Sequence, residues 1–136
     1  MKAMSQPFSQ ESEQAMYALA TQAYEGGDYL SALSLFRLLT LQQMNDRDYW
    51  MGLGASLQMA RHYDEALMAY HYAAHLNDED PYLFYQCAQC HEALGNLDKG
   101  YEALVLAIDR GDRRTEWKEL TQQLKQLQLH WLERLK

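Results

Sequence analysis

Gly27-Asp28-Tyr29-Leu30-Ser31-Ala32-Leu33-Ser34-Leu35-Phe36 is the stretch that decides the fold, because its pattern recurs. At a displacement of 34 residues, Arg61-His62-Tyr63 leads to Ala66, Tyr70 and Ala73, and after a second such step Gly95-Asn96-Leu97 leads to Gly100, Leu104 and Ala107. Upstream, Met16, Trp50 and Phe84 share a register, as do Leu19, Leu53 and Cys87, and then Ala20, Gly54 and Ala88. The period runs without a gap. Self-similarity at this spacing marks stacked units, each too small to bury its own apolar face alone.

The spacing has a direct physical reading as two antiparallel helices joined by a tight turn. Ala20, Gly54 and Ala88, with Ala32, Ala66 and Gly100, are small where two helix axes approach. Trp50, Phe84, Phe36 and Tyr70 are large and are expected to fill the space between neighbouring units. Asp28 and Asn96 suit the N-cap of each second helix, and Gly27 and Gly95 suit the turn before it. Polar clusters at Met44 to Arg47, Asn77 to Pro81 and Gly111 to Arg114 mark the borders. Period and residue classes together resemble the tetratricopeptide repeat. The departures are Leu39 where Ala is usual, and Met44, Asp78 and Asp112 where Pro is usual.

The expected architecture is all-α: three tetratricopeptide-like helical hairpins forming a right-handed superhelix, with a C-terminal capping helix. The units run over roughly 13–46, 47–80 and 81–114, after an N-terminal tail over 1–12 and before a last helix over 115–136. Thr115 to Leu135 reads as one long helix, with Trp117, Leu120, Leu124, Leu127 and Trp131 spaced alternately by three and four. A stack leaves the apolar side of its final unit bare, and a terminal amphipathic helix covers it. A coiled-coil seam is the competing use of that stripe, but Trp packs poorly in a two-stranded seam.

Composition fits this plan. The 136 residues suffice for one domain with a core; 48% are hydrophobic and only 7 Gly and 2 Pro punctuate them. A net charge of −7 argues against nucleic acid or an anionic membrane as the main partner, since both would repel it. No apolar run approaches the roughly 18 residues of a membrane span. The segment Met1 to Gln14 lacks the apolar core of a secretory signal, and two Cys make no disulfide framework, so a cytosolic setting is expected.

Cys87-Ala88-Gln89-Cys90-His91 matches the C-x-x-C-H string of covalent haem attachment. The repeat register gives it a plainer meaning, because Cys87 takes the core slot of Leu19 and Leu53, where Cys acts as a small hydrophobe. His62, His71, His75 and His130 are scattered and supply no second pair of zinc ligands. No nucleophile elbow, phosphate loop or H-E-x-x-H motif is present. The sequence therefore predicts no catalytic residue, no metal site and no cofactor, and an enzyme or haem protein has only the one string behind it.

Binding is expected on the first helix of each unit, which lines the concave side of such a stack. Positions not used for packing are Gln14, Tyr17, Thr21 and Tyr24, then Asp48, Met51, Ala55 and Gln58, then Tyr82, Tyr85, Gln89 and Glu92. No Lys or Arg stands among them, which removes the basic clamp that heat-shock co-chaperones close on an acidic tail. Tyr offers a rigid apolar face with a hydroxyl, and Met adapts to irregular shapes. The candidate peptide contacts are Tyr17, Thr21, Tyr24, Met51, Ala55, Gln58, Tyr82, Tyr85 and Gln89. With 10 Tyr in the chain, some serve the core instead.

Asp48-Tyr49-Trp50-Met51-Gly52-Leu53-Gly54-Ala55, then Asp80-Pro81, then Cys87 to His91 and Leu94-Gly95-Asn96-Leu97-Asp98 go beyond a generic repeat. Together with Gly26-Gly27-Asp28-Tyr29, they resemble the class II chaperones of type III secretion systems, the SycD/LcrH/IpgC group, over roughly Tyr17 to Ala107. That resemblance implies a bacterial cytosolic chaperone that binds an extended apolar segment of hydrophobic translocators and keeps them soluble before secretion. The family usually has a longer helical extension ahead of its first repeat, often used for dimerisation; about a dozen residues stand there in this sequence, and a homodimer is left open. An adaptor or scaffold subunit of a multi-protein assembly is the alternative use of the same fold.

Overall fold

The structure is a computed structural model that describes residues 8–136. Of the expected tail, 1–7 lie outside the described residues. Seven α-helices follow: α1 (Gln10–Glu25), α2 (Tyr29–Gln42), α3 (Arg47–Met59), α4 (Tyr63–Leu76), α5 (Pro81–Ala93), α6 (Leu97–Gly111) and α7 (Lys118–Leu135). Among the described residues there is no strand. The chain divides into two compact units, one ending at Leu76 and the other running from Asn77 to Lys136.

Caps start the helices. Oγ of Ser9 accepts from the Ser12 N–H at 3.1 Å, and Oδ1 of Asp28 from that of Ser31 at 3.2 Å. Asp46 accepts from Asp48 at 2.9 Å, and Asp80 from Tyr82 at 2.8 Å with Pro81 in the first turn. Asn96 occupies the expected N-cap position but makes no side-chain capping bond. The first helix thus begins at Gln10, three residues ahead of the expected border at 13.

Each hairpin turn repeats the same backbone lock. The amides of Asp28, His62 and Asn96 donate to the carbonyls of Ala23, Leu57 and His91, each at 2.8 Å. Such a lock needs one residue in the left-handed region. Gly27 (φ 84°) and Gly95 (φ 79°) supply it freely, whereas the middle turn uses Arg61 (φ 67°), whose Cβ makes that conformation costly.

In the first unit, the Phe36 ring occupies the space where Gly52 would carry a Cβ, so α2 of one hairpin lies close against α3 of the next. Within the second hairpin, a Cβ at Gly54 would meet the Tyr70 ring at 2.6 Å. Phe36 thus fills the space between hairpins as expected, whereas Tyr70 packs inside its own. Trp50 stacks on Tyr72 with centroids 4.3 Å apart, and its Nε1 donates to the Met44 carbonyl at 2.8 Å. In the second unit, Phe84 lies 5.2 Å beneath the Arg110 guanidinium. Leu19 also departs from its expected core role: Leu53 and Cys87 are buried at 6% and 3%, but Leu19 is 56% exposed. The cover that α2 gives α3 has no described counterpart ahead of α1.

The second unit is closed by α7. A Cβ at Gly100 would lie 2.7 Å from the Trp131 ring and 3.2 Å from the Ala88 carbonyl, so the glycine admits both α5 and the terminal tryptophan. Leu124 and Trp131 are buried against α6, which assigns the stripe a packing role within its own unit. The single long helix expected from Thr115 is interrupted, because Thr115–Trp117 is a 3-10 turn and α7 begins at Lys118. No side chain caps this start, and Arg114 ahead of it is extended (φ −139°, ψ 137°). Arg110 binds the loop before α5 through the Asp78 carbonyl (2.8 Å) and carboxylate (3.1 Å), while Arg114 reaches Glu79 at 2.9 Å.

Candidate peptide-binding faces

The first unit carries Tyr17, Thr21 and Tyr24 on α1 and Met51, Ala55 and Gln58 on α3, and none of the six is buried. The Tyr17 ring meets Phe36 edge-on at 6.0 Å and lies tilted on Tyr49 at 5.4 Å, yet keeps 38% of its surface exposed. It is therefore anchored from behind and presented in front. Tyr24 rests edge-on against Tyr29 at 5.5 Å. Thr21 Oγ1 donates to the Tyr17 carbonyl at 2.9 Å, which turns its methyl and oxygen into passive lining.

Core packing also aims Gln58. Tyr70, fully buried on α4, runs past Gly54 and donates its hydroxyl to Gln58 Oε1 at 2.7 Å. A side chain on the expected face is thus oriented by one that the register places in the core.

Burial raises the Tyr17 hydroxyl above its ordinary value, and the Asp48 and Asp46 carboxylates push it further. Burial and then Tyr29 raise Tyr24. Tyr49 is pushed up to about 12 by burial, by the charges of Glu13 and Asp46, and by its hydrogen bond with Glu13. These phenols are neutral hydrogen-bonding groups near neutral pH.

In the second unit, α5 carries Tyr82, 48% exposed, with Tyr85 and Gln89 half-buried beside it. Gln89 Nε2 donates to the Tyr85 hydroxyl at 2.9 Å, fixing ring and amide as one surface. One turn on, Glu92 pairs with Arg134 of α7, whose guanidinium also lies 5.7 Å over Trp131. The absence of basic residues holds for the candidate positions themselves but not for this neighbourhood. Arg134 was missed because it lies on the terminal helix, beyond the repeat register; its spacing of three from Trp131 was the available signal.

Cys87 and Cys90 lie on the buried side of α5 as free cysteines, and burial pushes both thiols up to about 12. The thiolate is the form that attacks or ligates, so these sulfurs are held in their unreactive state. Among the described residues, no group of three or more His, Cys, Asp or Glu is placed to hold a metal. Nor is any described helix long and apolar enough to cross a membrane.

Comparison with known proteins finds relatives of this fold. A tetratricopeptide-repeat family model matches residues 48–80. Low calcium response locus protein H of Yersinia pestis is 31% identical over 119 residues, covering 88% of this chain and 71% of that protein. The structure of PcrH, a Pseudomonas aeruginosa protein, in complex with the chaperone-binding region of PopD is similar with a TM-score of 0.90 at 26% identity, over 95% of this chain and 97% of that one. The Yersinia enterocolitica type III secretion chaperone SycD, solved with a peptide of the translocator YopD, gives 0.87 at 26% identity over 94% and 98%.

Proposed function

Since the chain belongs to the class II type III secretion chaperone family, that of low calcium response locus protein H, we propose that it holds an extended apolar segment of a hydrophobic translocator before secretion. The work is binding, not catalysis. The observation that carries this reading is the equivalence of Tyr17, Met51 and Tyr85. The same repeat position carries a ring or thioether that is not buried in each of three successive hairpins, and in the first unit the Tyr17 ring rests on Phe36. Side chains of this kind, recurring at one position of each repeat, suit the apolar residues of an extended polypeptide.

Holding is stoichiometric. Covering an apolar stretch prevents self-association or early membrane insertion, and truncating an aromatic anchor is expected to cost about 2 kcal/mol of binding. Thr21, Tyr24, Ala55, Gln58, Tyr82 and Gln89 complete the proposed contact set. The proposed setting is the bacterial cytoplasm, where the client is made.

Co-expression with the translocators of the source organism tests this. The client is expected to stay soluble with the wild-type chain and to aggregate with Tyr24→Ala plus Tyr85→Ala. Client solubility indifferent to both would sink the reading. Fractionation separates it from a permanent scaffold: a chaperone remains in the cytosol while its client leaves, whereas a scaffold stays with its partner in the assembled machine.

A further inference from the structure

The second helix of the middle hairpin carries a feature that peptide holding does not use. The proposed contacts lie on α1, α3 and α5, and none lies on α4. On α4, His71 and His75 stand one turn apart, and both are exposed. Side chains four residues apart share a helix face, with about 5–6 Å between their Cβ atoms, and both lean toward the N-terminus. Among the described residues, neither imidazole takes part in a hydrogen bond or an ion pair; the His75 ring makes a tilted contact with Tyr72, centroids 6.3 Å apart. His62, by contrast, has Nδ1 3.7 Å from a Glu65 oxygen. The pair occupies the last two turns of α4, where the helix dipole favours positive charge, and α4 carries no Lys or Arg.

Two imidazoles on adjacent turns are the means by which a helix grips a transition metal, as in the H-E-x-x-H motif, where histidines at this same spacing hold zinc. We propose that His71 and His75 form a two-histidine site for a divalent transition-metal ion of the zinc, nickel and copper class. Scattered along the sequence, the two are brought onto one face by the helix. With two protein ligands the site is an open one, in keeping with the lack of any group of three or more ligands among the described residues, and water fills the remaining positions. Imidazole nitrogen sets the class of ion, because Mg2+ and Ca2+ take oxygen donors. Metal uptake on α4 and client holding on the other helices are separate properties of the chain.

The test is calorimetric titration of the full chain, free of any affinity tag, with zinc chloride. One saturable equivalent is expected in the wild type and in a His62→Gln plus His130→Gln control, which removes the other exposed histidines. Either His71→Gln or His75→Gln should weaken uptake by about tenfold or more, since even a group that only orients a metal ligand is worth that much. Gln suits an exposed helical position, and circular dichroism establishes that each variant is folded. Copper(II) chloride should bind more tightly than zinc chloride, and magnesium chloride should show no saturable uptake. In the wild type with substoichiometric copper(II), the ring resonances of His71 and His75 should broaden before those of His62 and His130, a readout that needs no variant. No saturable zinc uptake by the wild type, uptake unchanged in both single variants, or first broadening at other histidines would overturn the proposal. None of these outcomes touches the peptide-holding role.

Discussion

The two units solve the same repeat problem with opposite endings. In the second, α7 lays Trp131 over Gly100, pairs Arg134 with Glu92 and closes the apolar side of the last hairpin. In the first, Leu19 stays 56% exposed and Leu41 74% exposed. The cover that α7 gives is local: it buries Trp131 and Leu124, while Leu129 and Leu132 on the same helix stay 66% and 40% exposed. Leu19 and Leu41 have no such cover among the described residues.

The sharpest way to break this contrast is Trp131→Ala. Removing a buried indole is expected to cost about 3–5 kcal/mol, read by chemical denaturation. Hydrogen exchange should show protection lost over 97–135 before it is lost over 10–76; uniform loss would mean that α7 is not a local cover.

Alkaline titration separates the units by chemistry. Cys87 and Cys90 rise from an ordinary 9.0 to about 12 on folding, and Tyr49 from 10.0 to about 12. A raised acid is protonated in the folded state while the unfolded chain has already released its proton. Its contribution is complete below the unfolded value and is lost as pH climbs toward the folded one. Stability should therefore decline from about pH 9 in the second unit and from about pH 10 in the first. Cys87→Ala with Cys90→Ala should remove the earlier phase, measured as melting temperature against pH.

Tyr17→Ala is expected to weaken client binding by about 2 kcal/mol, roughly thirtyfold, in fluorescence anisotropy. The same change costs the fold about 1 kcal/mol through its two ring contacts. Arg110→Met should cost about 1–2 kcal/mol, since it removes hydrogen bonds from a largely covered guanidinium to the Asp78 loop. Smallest, and opposite in sign, Arg61→Gly should stabilise the first unit by about 1 kcal/mol, because glycine adopts the left-handed turn without strain.

What could be read in advance follows from how local its cause is. The turns at Gly27 and Gly95 were legible because a positive φ has a residue signature, and Arg61 obeys the same backbone lock without announcing it. Ser9, Asp46 and Asp80 cap their helices by ordinary rules and could have been named from sequence. The core role assigned to Leu19 failed because periodicity reports a position within a hairpin and not whether a neighbour covers it. Trp50 was expected between hairpins, but a stack on Tyr72 depends on rotamers that spacing does not encode. Of the candidate face, the periodic rows Tyr17, Met51, Tyr85 and Thr21, Ala55, Gln89 came directly from the register. The Arg134–Glu92 pair did not, because its basic member lies on the terminal helix.

The passage of Tyr70 beside Gly54 to the side chain of Gln58 ties an interior to an exterior. A change in the interior can consequently reach a residue of the proposed binding face. A Tyr70→Phe change leaves the exposed face itself unaltered, yet it removes one hydrogen bond from Gln58, a member of the proposed contact set. Variation hidden in the middle hairpin is thus a route by which chaperones of this shape can diverge in clientele while their outward residues stay the same.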